Sequence, residues 1–111
     1  MNYGFLRLLR VADAQRDVVE NDLKKLGEFL KQRAMRNKDL AYYTLTYVRK
    51  GDVDGYVIVE GEDVENEIEI LNGFIESNLT SIRSQIIKYD SRKTINLPIP
   101  RTKNFLEGVD M

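Results

Sequence analysis

The chain contains no cysteine, no histidine and no tryptophan, and only two prolines. Without cysteine there is no disulfide framework and no thiolate chemistry. Without cysteine or histidine the usual ligand sets for zinc, haem and iron–sulfur clusters cannot be assembled. The commonest general base near neutral pH is missing too. Hard oxygen sites for magnesium or calcium remain open in principle. No apolar run approaches the ~20 residues of a membrane-spanning helix. Arg7 and Arg10 break the apolar start of the chain, and no small-residue cleavage site follows, so a secretory leader is not expected and a cytoplasmic location is.

The 111 residues are 42% hydrophobic and 32% charged, with a net charge of −1. That composition suits one charge-rich globular domain rather than a disordered chain. It also makes the whole molecule an unpromising nucleic-acid binder.

Asn2 to about Asn37 reads as one long helix. Phe5, Leu9, Ala12, Val19, Leu23, Leu26 and Leu30 recur at spacings of three, four or seven, as on one helical stripe. Arg16 interrupts the stripe, Gly27 lies inside it, and Asn37 suits a left-handed terminator. From Leu40 to Val59 the composition turns to tyrosine, threonine and valine around Gly51-Asp52-Val53-Asp54-Gly55, the pattern of a β-hairpin. A second helix is expected from Val64 to Tyr89, with Asp63 as N-cap and a stripe through Ile68, Leu71, Ile75, Leu79, Ile82 and Ile86. Pro98 and Pro100 argue against further helix.

The expected fold is therefore mainly α, within the α+β class. Two long amphipathic antiparallel helices are linked by a β-hairpin in the order α-β-β-α. Residues 1–90 form this domain, and residues 91–111 form an extended C-terminal tail or linker. The long stripes make Val19, Leu23, Leu26, Leu30, Ile68, Leu71, Ile75 and Ile82 candidate protein-interface residues in a homo- or hetero-oligomer.

Charge is segregated. Residues 1–50 hold eleven basic and six acidic side chains, residues 51–79 nine acidic and no basic ones, and residues 80–111 six basic and three acidic. Lys31, Arg33, Arg36 and Lys38 form a candidate basic patch for phosphate, and Glu60 to Glu69 a candidate dock for a basic partner. The same signs are those the helix dipole favours at the end of the first helix and the start of the second. Antiparallel helices would bring those two ends together.

No catalytic constellation is found. Asp52 and Asp54 lie in too short a loop for a calcium motif. Glu67 and Glu69 do not face each other on a helix. The glycines make no phosphate loop, and the serines have no histidine to activate them. Tyr42, Tyr43, Tyr47 and Tyr56 beside Arg49 and Lys50 resemble a stacking platform for single-stranded nucleic acid, but two strands make a poor platform, and core or interface tyrosines are the simpler reading. No cofactor is expected.

The stretch Leu79-Thr80-Ser81-Ile82-Arg83-Ser84-Gln85-Ile86-Ile87, followed after a proline-containing link by Phe105-Leu106-Glu107-Gly108-Val109-Asp110, resembles archaeal GINS replication-complex subunits. In that family a helical domain passes through a short linker into a small β-domain. The resemblance covers about a third of the chain. It implies a non-enzymatic scaffold in a four-subunit assembly joining the replicative helicase to a RecJ-like companion, with the long helices as assembly surfaces. Two alternatives differ in class. One is a small nucleic-acid-binding or regulatory protein of viral or plasmid type acting through the basic patch. The other is a prefoldin-like chaperone, suggested by element order alone.

Overall fold

The computed structural model describes residues 2–49 and 52–87. Six elements follow one another: β1 (Asn2–Arg10), α1 (Arg16–Arg36), β2 (Ala41–Arg49), β3 (Asp52–Gly61), α2 (Val64–Asn78) and β4 (Ile82–Ile87). The four strands form one sheet in the order β2-β3-β1-β4. Each neighbouring pair is antiparallel. This is a pair of interleaved split β-α-β units.

The expected mainly α, α-β-β-α architecture is corrected at both ends. The first helix of the sequence reading is a strand, a turn and a shorter helix. In β1, Leu6 and Leu8 join the core with the helices, while Phe5 joins a separate cluster on the other face of the sheet. That alternation of period two is a strand's. Asp13, at φ 62°, supplies the left-handed residue of the turn before α1, a conformation aspartate tolerates better than most residues. The second helix stops at Asn78 rather than Tyr89. Ile82, Ile86 and Ile87 are β-branched and belong to β4. With strands at both ends, the prefoldin-like element order falls as well. The expected hairpin is β2–β3, in a register running from Ala41 opposite Glu60 to Arg49 opposite Asp52. The tail assigned to residues 91–111 lies outside the described residues.

The main core lies between the helices and one sheet face. Leu6, Leu8, Val57, Val59, Tyr42 and Ile82 from the sheet meet Val19, Leu23, Leu26, Leu30, Ile68, Leu71 and Ile75 from the helices. Burying each aliphatic side chain contributes about 1.5–3 kcal/mol. Phe29 and Phe74 stack between the helices at 3.9 Å between ring centroids.

Two buried carboxylates fix how the helices sit. Asp22 of α1 accepts hydrogen bonds from Thr80 N–H (3.1 Å), Ser81 N–H (2.8 Å) and Ser81 Oγ–H (2.5 Å), in the turn between α2 and β4. Glu67, in the first turn of α2, meets Arg33 near the end of α1. The start of α1 is thus tied to the end of α2 and the reverse, so the helices run antiparallel.

Glycine has opposite consequences at three positions. A Cβ on Gly4 of β1 would collide with Ile68 Cγ1 of α2, so glycine there lets the helix approach the sheet. A Cβ on Gly27 or Gly73 would meet nothing within 4 Å. Gly4→Ala is expected to destabilise the fold by about 1–3 kcal/mol. Gly27→Ala and Gly73→Ala should each stabilise it by about 0.5–1 kcal/mol through helix propensity. Urea unfolding of the three variants reads both signs, and a neutral Gly4→Ala would contradict the close approach.

Candidate functional site

The eight apolar candidates all lie inside the molecule. Val19, Leu23, Leu26, Leu30, Ile68, Leu71, Ile75 and Ile82 are between 0% and 6% exposed. The seven on the helices pack on the sheet within one chain and Ile82 packs from the sheet itself, so all eight are core residues and not a protein interface. The helical periodicity identified a buried face correctly but could not say what buries it.

The basic patch divides. Lys31, Arg36 and Lys38 are exposed. Arg33 is withdrawn into a bidentate pair with Glu67: its Nε–H donates to Oε2 at 2.8 Å and its Nη2–H to Oε1 at 2.7 Å. Tyr42 O–H donates to the same Oε2 at 2.6 Å, and Asn37 Nδ2–H donates to the Tyr42 hydroxyl at 3.0 Å. Asn37 therefore ends α1 through its side chain, which also reaches the Arg33 carbonyl; its φ is −115°, not left-handed. Burial pushes the Glu67 carboxyl up, but the Arg33 hydrogen bond, the Tyr42 hydrogen bond and the guanidinium's attraction together hold it below its usual range. Burial, then the hydrogen bond to Glu67, raises the Tyr42 hydroxyl.

The tyrosines do not make an open stacking platform. Tyr42 is in the core with its hydroxyl bound, Tyr56 is 5% exposed, and Tyr43 is half-buried against Phe5, Leu45 and Ile58. The Tyr47, Arg49, Asp52 and Asp54 side chains, with Lys50 and Gly51, lie outside the described part.

A groove opens at the other flank of α2, where the start of β1, the start of α2 and the end of β4 meet. It encloses about 690 Å³. Gly4, Phe5, Ile68, Ile86 and Ile87 give it apolar walls, and Tyr3 lies beside Phe5 with ring centroids 6.3 Å apart. Ile86 is 41% exposed. Glu62, Asp63, Glu65 and Glu69 form the rim, all of them exposed. Asp63 holds the cap position of α2, yet its side chain makes no cap hydrogen bond. Asn2 Nδ2–H donates to the Glu62 carbonyl at 3.0 Å and ties the strand to the helix entry.

Sequence reasoning noted the acidic stretch but missed the groove. Its walls come from residues 2–5, 62–69 and 86–87, which only the sheet brings together. Among the described residues no group of three or more acidic side chains is placed to hold a metal ion, and no helix is long and apolar enough to cross a membrane.

No family model matches the chain, and no curated protein matches it. Among solved structures it is similar to a de novo designed protein with a ferredoxin fold, LFR1 1, determined by NMR in solution. The TM-score is 0.61 at 13% identity, over 94% of this chain and 100% of the designed one. The likeness shows a ferredoxin-like α+β fold, in agreement with the β-α-β-β-α-β order, and carries nothing about function. Of the segments that carry the GINS resemblance, Leu79–Ile87 forms a turn and strand β4 rather than the end of a helix, and residues 105–110 lie outside the described residues.

The Arg33–Glu67 pair makes a testable acid dependence. A carboxyl held low when folded contributes stability above its unfolded pKa of about 4.3, and that contribution is lost as the pH falls through the folded value. Arg33→Met leaves the Glu67 charge buried without its partner and should cost about 3 kcal/mol at pH 7. The deficit against the native protein should narrow as the pH is lowered towards about 4, where protonation removes the uncompensated charge. Chemical unfolding across that range checks it; a deficit independent of pH would mean that packing, not charge, is what Arg33 supplies.

Proposed function

We propose that the protein is a non-enzymatic protein-binding domain that holds a segment of a partner protein in the groove between β1, α2 and β4. The observation that supports this is the groove itself. It combines a half-exposed isoleucine and an apolar floor with a polar rim, the anatomy of a small recognition surface. Its volume accommodates several side chains. The helix stripes and the aromatic face of the sheet offer less. The helix stripes are internal, and the aromatic sheet cluster of Phe5, Leu45, Tyr56 and Ile58 is between 4% and 8% exposed. A phosphate-binding role is left with Lys31, Arg36 and Lys38 but without Arg33.

The chemistry available at the groove suits holding rather than reacting. Its titratable groups are the exposed rim carboxylates and the Tyr3 phenol, and no serine, lysine or arginine lines it beside them. Selection of a random peptide library against the intact protein, followed by mapping of the retained peptides by backbone amide shifts, tests the proposal. The shifts are expected at Gly4, Val64, Ile68 and Ile86. Ile86→Glu, a change at a half-exposed site, should weaken binding about tenfold or more while leaving the unfolding midpoint nearly unchanged. Retained peptides whose shifts fall on the exposed face of α1 would refute it.

A further inference from the structure

Glu62, Asp63, Glu65 and Glu69 share one rim, and their carboxylates have no ionic or hydrogen-bonding partner among the described residues. The fifth acid of the same stretch, Glu67, points the other way and is neutralised by Arg33. Alternate residues of this turn are thus divided. One carboxylate is buried and paired, and those on its flank stand open around an apolar trough. The helix dipole favours anions in the first turn and falls off beyond it. It accounts for Glu65 but not for Glu69, a turn further along, nor for the alignment of all four on one side. Among the described residues no three such side chains are placed to hold one metal ion, and negative charge around an apolar floor complements cations carried on a chain beside an apolar group.

From this charge complementarity we propose that the groove recognises a peptide segment of a partner protein in which lysine or arginine residues flank an apolar side chain, the apolar group entering between Gly4, Ile68 and Ile86 and the cations facing Glu62, Glu65 and Glu69. This rests on the groove being the binding site. It adds the chemistry of the occupant. The rim carboxylates set the on-rate and the selection of partner, and the apolar insertion sets the residence time.

The test uses the full chain and two short labelled peptides, one alternating lysine and leucine, the other with glutamine in place of every lysine. Fluorescence anisotropy gives affinity, and backbone amide shifts give location. The lysine peptide is expected to bind at the groove, about tenfold or more tighter than the glutamine peptide, and to weaken as salt is raised from about 0.05 M to about 0.3 M. The double variant Glu65→Lys with Glu69→Lys, at two exposed positions, should erase that preference while keeping the native circular-dichroism spectrum. Equal binding of both peptides at the groove would overturn the charge rule and leave the groove as a binding site. Failure of both, or binding mapped elsewhere, would overturn the rule and the groove together. Groove shifts that grow with protein concentration as the mass doubles would assign the groove to a second copy. Groove contacts to residues 88–111 that exclude both peptides would assign it to the chain's own C-terminal segment. Either result overturns the proposal.

Discussion

One buried carboxylate sets the geometry of this protein. Glu67 is 4% exposed and takes hydrogen bonds from Arg33 on α1 and Tyr42 on β2. A charge in that position is tolerated only because its oxygens are bound by a guanidinium fork and a hydroxyl. The contact joins two helices and an edge strand at a single point, and it fixes the rotation of α2 about its own axis. Once Glu67 points inward, Val64, Ile68, Leu71 and Ile75 fall on the core side with it, and Glu65 and Glu69 are turned out. The rim of the groove is therefore a consequence of the same rotation that buries the ion pair. Asp22 performs the matching task at the far end by holding the turn at Thr80 and Ser81.

The sheet adds a second constraint. The first strand is central, with β3 on one side and β4 on the other, so the two ends of the described chain lie next to each other. That adjacency puts Asn2–Phe5 beside Ile86 and Ile87. Gly4 then decides how deep the groove is, because only a residue without Cβ allows Ile68 to sit as close as it does.

Parts of this fold were legible in the sequence. The hairpin was signalled by a run of strand-favouring residues around a turn-rich stretch. The entry to α2 was signalled by Asp63 ahead of a helical apolar pattern. The segregation of charge anticipated that the end of α1 and the start of α2 would be neighbours, although nothing in a string of eleven basic residues singles out Arg33 as the buried one. The first and last strands, β1 and β4, were misread because periods of two and of 3.6 both place residues four apart on one face. Phe5 and Leu9 satisfy either, as do Ile82 and Ile86. The deciding signals were weaker: the alternation of Leu6 and Leu8 with Phe5 and Arg7, and the density of β-branched isoleucine after Ser81. The error at each end hid the sheet, and with it the groove, since no local pattern records that residues 2–5 and 86–87 are neighbours.

The rim carries a stability cost that the core does not explain. Glu65 and Glu69 are like charges one helical turn apart, an arrangement that disfavours a helix by about 0.2–0.5 kcal/mol. A lysine at position 69 would reverse that sign and would leave every core contact of α2 in place. The favourable dipole term reaches the first turn and offsets part of the repulsion there, but Glu69 gains little from it. Glu67 shows the alternative, since in the same stretch a carboxylate that serves the fold is buried, bonded through both oxygens and paired. Glu65 and Glu69 do none of these things and stand with Glu62 and Asp63, exposed, around an apolar trough. In the proposed complex a cation beside Glu65 and Glu69 would relieve that repulsion, and the relief would add to the free energy of binding.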